Sequence, residues 1–373
     1  TAAQAGNVPV TVGGQQVYIK SRYTFSGYMR YAEQYLFDYF SSLGLNTSYF
    51  NWTYGSYSGK NVIAELPGVV TPSRIWLIGG HFDTISQNPY YDSPGADDNG
   101  TGVAATMAIA RILSQYRFAD TIRFVAFSGE EEGQWGSKVY ARDRRLRGEN
   151  IVGYINLDMI GWDSNNDRVM EIHTGYGPKS NALGTQFIAA NDRYAQGLTI
   201  ERKSSTASRF SDHSPFWDND YGSFLVIENY FYDAPRAADK HPWNHTTGDI
   251  LDRIPFDYAL RISRTAMAML IESAAIQESN PAPTATATKV GVTPAPTATP
   301  TLTPTPMPTL TPTPLPNSCS NLLVNGNAEG TGGWSFGTTP YSAGVVDSPI
   351  RGGLRAFRLG IPSGAYNRAA HSS

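Results

Sequence analysis

The first 280 residues are predicted to form an α/β fold with a mostly parallel, twisted sheet flanked by helices. Three observations support this. Short apolar runs rich in β-branched and aromatic residues alternate with longer stretches of helical spacing. Acidic and histidine motifs follow several of those runs directly, where the strands of such a sheet end and sites gather. Hydrophobic content of 40% and aromatic content of 12% supply a large core.

Tyr28 to Leu43 carries apolar residues at helical spacing and stops at Gly44, a residue suited to end a helix. Asn61 to Leu66 and Ile75 to Ile78 read as strands. Val103 to Leu113, rich in Ala, Ile and Met, reads as a helix. Ile122 to Phe127, Val152 to Leu157 and Val169 to Ile172 are strands. Ser180 to Ala195 is helical, Phe224 to Ile227 is a strand, and Pro255 to Ala275 is a long amphipathic helix.

Beyond residue 280 the composition changes. Residues 281–317 are dominated by Thr and Pro, with Lys289 as the only charge, and cannot form a packed core. They predict an extended polyproline II spacer and a target for O-glycosylation. Residues 318–373 contain short β-like runs, Asn321 to Gly326, Trp334 to Phe336 and Arg355 to Gly360, separated by Gly, Ser and Asn. They read as the start of a β-sandwich similar to carbohydrate-binding modules, too short to be whole. Glycan is the partner this module would take.

A formal net charge of −3 gives no basic stripe for nucleic acid and no polybasic membrane anchor. No apolar run approaches the roughly 20 residues of a membrane span. Cys319 is the only cysteine, which excludes an intrachain disulfide and a cysteine-rich structural zinc site. The chain begins at Thr1, so a processed product or a fragment is expected. With the Thr/Pro spacer, this leads to the expectation of a secreted protein.

The chemistry is concentrated in five motifs: His81-Phe82-Asp83, Gly95-Ala96-Asp97-Asp98-Asn99-Gly100-Thr101-Gly102, Glu130-Glu131-Glu132-Gly133-Gln134-Trp135-Gly136-Ser137, Asn156-Leu157-Asp158-Met159-Ile160-Gly161 and His245-Thr246-Thr247-Gly248-Asp249. Ionised carboxylates are costly to bury unpaired, so Asp158 on its very apolar segment needs a partner. Two histidines and several carboxylates at strand ends can form a hydrolytic zinc centre.

Together, in this order, the five motifs resemble the co-catalytic di-zinc aminopeptidases, the family of secreted bacterial leucyl aminopeptidases and aminopeptidase Y. The resemblance runs from about residue 60 to 275 and implies a zinc exopeptidase fold, peptide substrates and two Zn2+ per chain. It implies that Asp98 bridges the metals, with His81 and Asp158 completing one site and Glu131 and His245 the other. Glu130 would be the general base, and Asp83 would hydrogen-bond the second ring nitrogen of His81. The family also tends to have a cis peptide after the bridging aspartate, here Asp98–Asn99. Gly133, Gly136 and Ser137 match the family only if Glu130 and Glu131 are the functional pair. Gly100-Thr101-Gly102 selects Asp98 over Asp97 in the same way.

The implied activity is release of N-terminal, hydrophobic residues. Carboxypeptidase and glutaminyl cyclase chemistry are alternatives on the same scaffold, and a binding protein on a dead scaffold would have lost ligands. Ser211-Asp212-His213 resembles another family motif and reads either as part of the pocket or as a helix-capping turn. His173 and His241 read as structural. Trp217, Tyr230, Phe231, Tyr232 and Trp243 either line a side-chain pocket or pack ordinarily. Several relatives carry an aromatic residue immediately before the last metal histidine, where this chain has Asn244. If that aromatic polarises the substrate carbonyl, this chain must do so by other means.

Overall fold

A computed structural model describes residues 9–231, 239–279, 342–346 and 356–360. The chain divides into two units, Thr1–Pro281 and Ala282–Ser373. The Thr/Pro spacer and most of residues 318–373 lie outside the described residues.

The first unit opens with an antiparallel pair, β1 (Val10–Val12) and β2 (Gln15–Val17), followed by α1 (Met29–Ser42). Next come β3 (Asn46–Tyr54), β4 (Tyr57–Leu66), β5 (Thr71–His81), α2 (Gly100–Leu113), β6 (Tyr116–Phe118) and β7 (Asp120–Phe127). The chain continues through α3 (Trp135–Leu146), β8 (Asn150–Leu157), β9 (Val169–His173), α4 (Pro178–Arg193), β10 (Thr199–Lys203), α5 (Ser214–Asp218) and β11 (Ser223–Glu228). It closes with a 3-10 turn at Leu251–Arg253, α6 (Phe256–Ser273) and β12 (Ile276–Ser279). In the second unit, β13 (Ser342–Val346) pairs antiparallel with β14 (Ala356–Gly360).

Eight strands form the main sheet in the order β10-β9-β11-β8-β5-β7-β4-β3. The pairs β10–β9, β11–β8, β8–β5 and β5–β7 are parallel, and the outer joins β9–β11, β7–β4 and β4–β3 are antiparallel. The predicted mostly parallel sheet is therefore present, and its antiparallel joins make it mixed.

Helices cover both faces. Leu36 and Phe40 of α1, Ile109 of α2, Phe187 of α4 and Met269 of α6 pack with Val62, Phe124, Ile155 and Phe224 of the sheet. On the other face, Tyr140 of α3 and Phe216 of α5 pack with Leu77, Phe127 and Tyr154. Each such side chain, fully buried, contributes roughly 1.5–3 kcal/mol of transfer free energy. No helix among the described residues is long and apolar enough to cross a membrane.

Every helix and strand read from the sequence for this unit is present, with ends shifted by a few residues. Two substantial elements were missed. Strand β3 lies at the edge of the sheet and alternates Asn, Thr and Ser with aromatics, so only Trp52 is deeply buried. Helix α3 is rich in Arg and Asp, and its buried stripe is just Gly136, Ser137, Tyr140 and Ala141. A narrow stripe of small residues gives a weak periodic signal.

The register of the sheet positions the site. His81, the last residue of β5, pairs with Phe127, the last of β7, while Gly79 pairs with Asn156 near the end of β8. Three strand ends therefore meet at one rim. Asn99 stitches helix α2 to that rim: its Oδ1 accepts the Gly102 amide at 3.0 Å and its Nδ2 donates to the Leu157 carbonyl at 2.8 Å. The approach is so close that a Cβ on Gly102 would stand 2.3 Å from the Leu157 oxygen. Gly102→Ala is accordingly expected to cost about 1–3 kcal/mol through overpacking. Urea unfolding of the metal-free protein measures it, and an unchanged midpoint would show that the helix can back away.

Candidate metal centre

The structure brings His81, Asp98, Glu131, Asp158 and His245 to one point on this rim. The Nε2 of His81 lies 3.4 Å from Oδ1 of Asp98 and 3.3 Å from Oδ1 of Asp158. The Nε2 of His245 lies 3.1 Å from Oδ2 of Asp98 and 3.2 Å from Oε2 of Glu131. Asp98 thus offers one oxygen to each of two donor groups. Among the described residues, His81, Asp98 and Glu131 present ligand atoms that all lie within 4.8 Å of one another. His245 reaches in from a loop with a left-handed backbone (φ 59°) and is the exposed member, at 54% of its side-chain surface.

Each carboxylate is held from behind. The Asp97 and Asp98 amides donate to the two oxygens of buried Asp249, at 2.8 and 3.0 Å. The peptide between Asp98 and Asn99 is cis. Glu131 Oε1 accepts the Ile85 amide at 3.0 Å. Asp158 Oδ2 accepts the Ser211 hydroxyl at 2.6 Å, and Ser211 in turn accepts from Asn156 Nδ2 at 2.6 Å. Ser211 therefore orients a candidate ligand, and its side chain caps no helix; α5 begins after His213 without a side-chain cap. Asp97 faces elsewhere, accepting the Thr101 hydroxyl and the Gly161 amide at its Oδ1.

Asp83 requires a correction. Its carboxylate was expected to hydrogen-bond the second nitrogen of His81, but that nitrogen, Nδ1, meets the Asp83 main-chain carbonyl at 3.1 Å. The carboxylate stands 3.8 Å away. It is drawn off by three other donors: Thr24 Oγ1 at 3.0 Å and the amides of Glu130 and Glu131 at 3.3 and 3.2 Å. One residue thus fixes the histidine tautomer through its backbone and the Glu130-Glu131 loop through its side chain.

Sequence reasoning also missed Arg22. Its buried guanidinium donates to the carbonyls of Phe82, Pro94 and Gly95 at 2.7, 2.7 and 2.9 Å, tying together the loops that carry His81 and Asp98. Burial lowers its pKa to about 10, which leaves it charged at neutral pH. No sequence signal marks it, because its partners lie 60 to 73 residues away.

The electrostatics fit a cationic occupant. Burial pushes Glu130 well above the carboxylate range, reinforced by Asp212, Glu131 and Asp158 against the opposing pull of His81. Burial and then Asp98 raise Glu131 to about 8. Hydrogen bonds to Asp98 and Glu131 raise His245 to about 11. Glu130, Glu131 and both imidazoles shift toward binding protons, while Asp98, against the effect of burial, is lowered by His245 and His81; the cluster carries surplus negative charge. Imidazole nitrogens and carboxylate oxygens are the donors zinc takes, and divalent cations would replace those protons.

The remaining singled-out residues have separate roles. His173 Nε2 meets buried Glu171 at 2.8 Å while its Nδ1 accepts the Ser208 amide, a structural pairing. His241 packs its ring on Trp162. Trp217 lies edge-on to His213 and Trp243 lies under Arg253, whereas Tyr230 bonds to Asn244 beside the centre. Tyr232 lies outside the described residues.

Burial lowers His213 to about 3 from an ordinary 6.5. The folded protein keeps it neutral, while the unfolded chain protonates it below pH 6.5. Its contribution is therefore present above that pH and is lost as pH falls toward 3, by about 1.4 kcal/mol per unit. His213→Gln should gain on wild type by that slope in urea melts between pH 6.5 and 5. Parallel curves for the two proteins would refute it.

The model of peptidase family M28 matches residues 61–270. A probable zinc metalloprotease of Pyricularia oryzae is 28% identical over 247 residues, covering 56% of this chain and 48% of its own length. The chain thus spans about half the length of the curated relatives it matches. Among solved structures, the LapA aminopeptidase of Legionella pneumophila superposes with a TM-score of 0.58 at 22% identity, covering 68% of each chain. A glutaminyl cyclase of Bacteroides thetaiotaomicron superposes with a TM-score of 0.53 at 20% identity, covering 67% of this chain and 92% of its own. These last two share the fold. With a family match across more than half its length and the motifs gathered at one rim, this chain belongs to peptidase family M28.

Proposed function

We propose that the protein is a secreted metalloaminopeptidase that binds two zinc ions and removes hydrophobic N-terminal residues from peptides. The observation that carries this reading is the division of Asp98, one oxygen toward His81 and Asp158 and the other toward His245 and Glu131. Two half-sites sharing one carboxylate suit a pair of metals about 3.5–4 Å apart. Zinc bound there would supply a water of lowered pKa and polarise a carbonyl. His81, Asp158, Asp98, Glu131 and His245 would hold it.

The chain's own groups do the rest. Glu130, beside the centre, takes a proton from the attacking water at its carboxylate and passes it to the leaving amine. Asp83 holds the Glu130 amide, so the base stays fixed against the rim. The carboxylate-rich pocket favours a substrate that brings a free, positively charged amine. Export is proposed from the Thr/Pro spacer, and glycan attachment from the β-like runs that follow it.

The test is zinc content by mass spectrometry alongside release of leucine from a leucyl amide. Two zincs per chain with release, lost on chelation and restored by zinc, is the expected result. One zinc without amide cleavage would redirect the reading to glutaminyl cyclase chemistry. Release only from the carboxyl end of a peptide would redirect it to a carboxypeptidase.

A further inference from the structure

An aminopeptidase holds the first residue of its substrate at the centre, and the rest of the peptide must run out over the surface. Glu130 fixes where that chain starts, because its proton goes to the leaving amine, the nitrogen of the second substrate residue. The turn that bears Glu130 also bears a large aromatic side chain. The amides of Gly133 and Gln134 donate to the Glu130 carbonyl at 2.7 and 2.8 Å, and the Trp135 amide donates to the Gly129 carbonyl at 2.8 Å. The indole of Trp135 therefore stands on the same hydrogen-bonded turn as the base, and it opens a row of rings. It lies nearly parallel to Tyr57 and Tyr54 at the tip of the β3–β4 hairpin, at interplanar angles of 21° and 13° and centroid distances of 4.9 and 5.5 Å. Phe25 lies 6.2 Å from the indole and 5.5 Å from Tyr23, and Tyr23 lies 5.0 Å from Tyr90. Tyr54, Tyr57 and Tyr90 keep 43%, 48% and 49% of their surface exposed. A single exposed aromatic is ordinary, but a contiguous row marks a surface made to be covered.

We propose that this aromatic row is a subsite for the peptide on the carboxyl side of the bond that is cut, and that it takes an extended segment rich in aromatic residues and proline. This rests on peptide hydrolysis at the centre. The row is continuous with the centre at both ends. At one end Trp135 shares its turn with Glu130 and Glu131. At the other, the segment that carries Tyr90 gives the Ile85 amide to Glu131 at 3.0 Å. The same segment holds the His245 loop, since Gln87 Nε2 donates to the Thr247 hydroxyl at 2.8 Å and the Thr247 amide donates to Gln87 Oε1 at 3.0 Å. Successive rings 4.9–6.2 Å apart come close to the roughly 7 Å between same-side side chains of an extended chain. Their flat, rigid faces take proline and aromatic side chains by stacking, at little cost in conformational freedom. A sugar ring would stack on the same faces, but the turn shared with the base favours the substrate's own chain.

The test measures kcat/KM of the full-length, zinc-loaded protein on two peptides, Leu-Gly-Phe-Pro-Phe-Gly and Leu-Gly-Ser-Ser-Ser-Gly. The ratio of the two within one protein cancels any damage to the centre itself. Wild type should prefer the aromatic peptide by about tenfold. Tyr57→Ala, at the exposed hairpin tip, should cut that preference by about three- to fivefold, and Tyr54→Ala combined with Tyr57→Ala and Trp135→Leu should abolish it. Trp135→Phe keeps a flat ring on the turn and should retain most of it. A wild type that favours neither peptide overturns the proposal, as does a preference that survives in the triple variant. Binding of a chito-oligosaccharide that Tyr57→Ala abolishes, with the peptide ratio unmoved, also overturns it and makes the row a glycan platform. A wild type that releases leucine from neither peptide and from no leucyl amide would defeat the exopeptidase reading alone. Calorimetric titration of the two intact peptides then decides the row: tighter binding of the aromatic peptide, lost in Tyr57→Ala, upholds it, and equal affinities overturn it.

Discussion

Glu130→Gln should lower kcat on a leucyl amide by about 10²–10⁴ while zinc content remains that of wild type. The glutamine keeps the shape and the amide that donates to Asp83, so the loop geometry is retained. It removes only the group that accepts and returns the proton. A second readout follows from the electrostatics. In the metal-free protein Glu130 is pushed up by burial and by Asp212, Glu131 and Asp158, so its ionised form destabilises the fold. A folded pKa above the unfolded one means that stability is lost as pH rises through the range between them. The neutral amide avoids this, and the metal-free variant should resist urea at pH 8 at least as well as wild type. Loss of zinc together with activity would instead make Glu130 a ligand and displace the assignment of its neighbour Glu131.

Arg22→Met should destabilise the protein by about 3–5 kcal/mol, from three lost charge-assisted hydrogen bonds and the Phe82 and Pro94 carbonyls left without a donor, while Gly95 keeps the Gly100 amide. Against a typical domain stability of about 5–15 kcal/mol, this leaves a marginal fold. The damage should fall first on metal binding, because Phe82 is next to His81, and Pro94 and Gly95 lead into Asp98. Arg22→Lys should recover little, since an ammonium cannot span three carbonyls as a planar fork does. Urea midpoints and zinc content decide the matter. Full zinc occupancy in Arg22→Met at an unchanged midpoint would show that the two loops hold themselves.

These two residues differ in how far they could be read in advance. Glu130 stands in a run of acids directly after an apolar strand, and that contrast is local. The same holds for His81 and Asp158, because a buried parallel strand must be apolar until it leaves the sheet, and the first polar group after it stands at the rim. Fold class, the main parallel strands and the long helices were legible on that basis; Asp98, before a helix, and His245, in a polar loop, were singled out by the resemblance of the five motifs taken together.

What tertiary structure alone decided is which distant groups hold those residues in place. Arg22 acts across 60 or more residues of chain and nothing local marks it, while Asp249 and Ser211 lay in motifs visible in the sequence but their partners, 151 and 53 residues away, did not show. Asp83 was visible, but the choice between its carbonyl and its carboxylate depended on the Glu130 and Glu131 amides arriving from another strand. The pairing of Tyr230 with Asn244 likewise arises only because β11 and the His245 loop end at the same rim. Periodicity reports the burial of a residue's own face. Hydrogen-bond partners are chosen by which loops the sheet brings together, and that follows from strand order, not from neighbours in sequence.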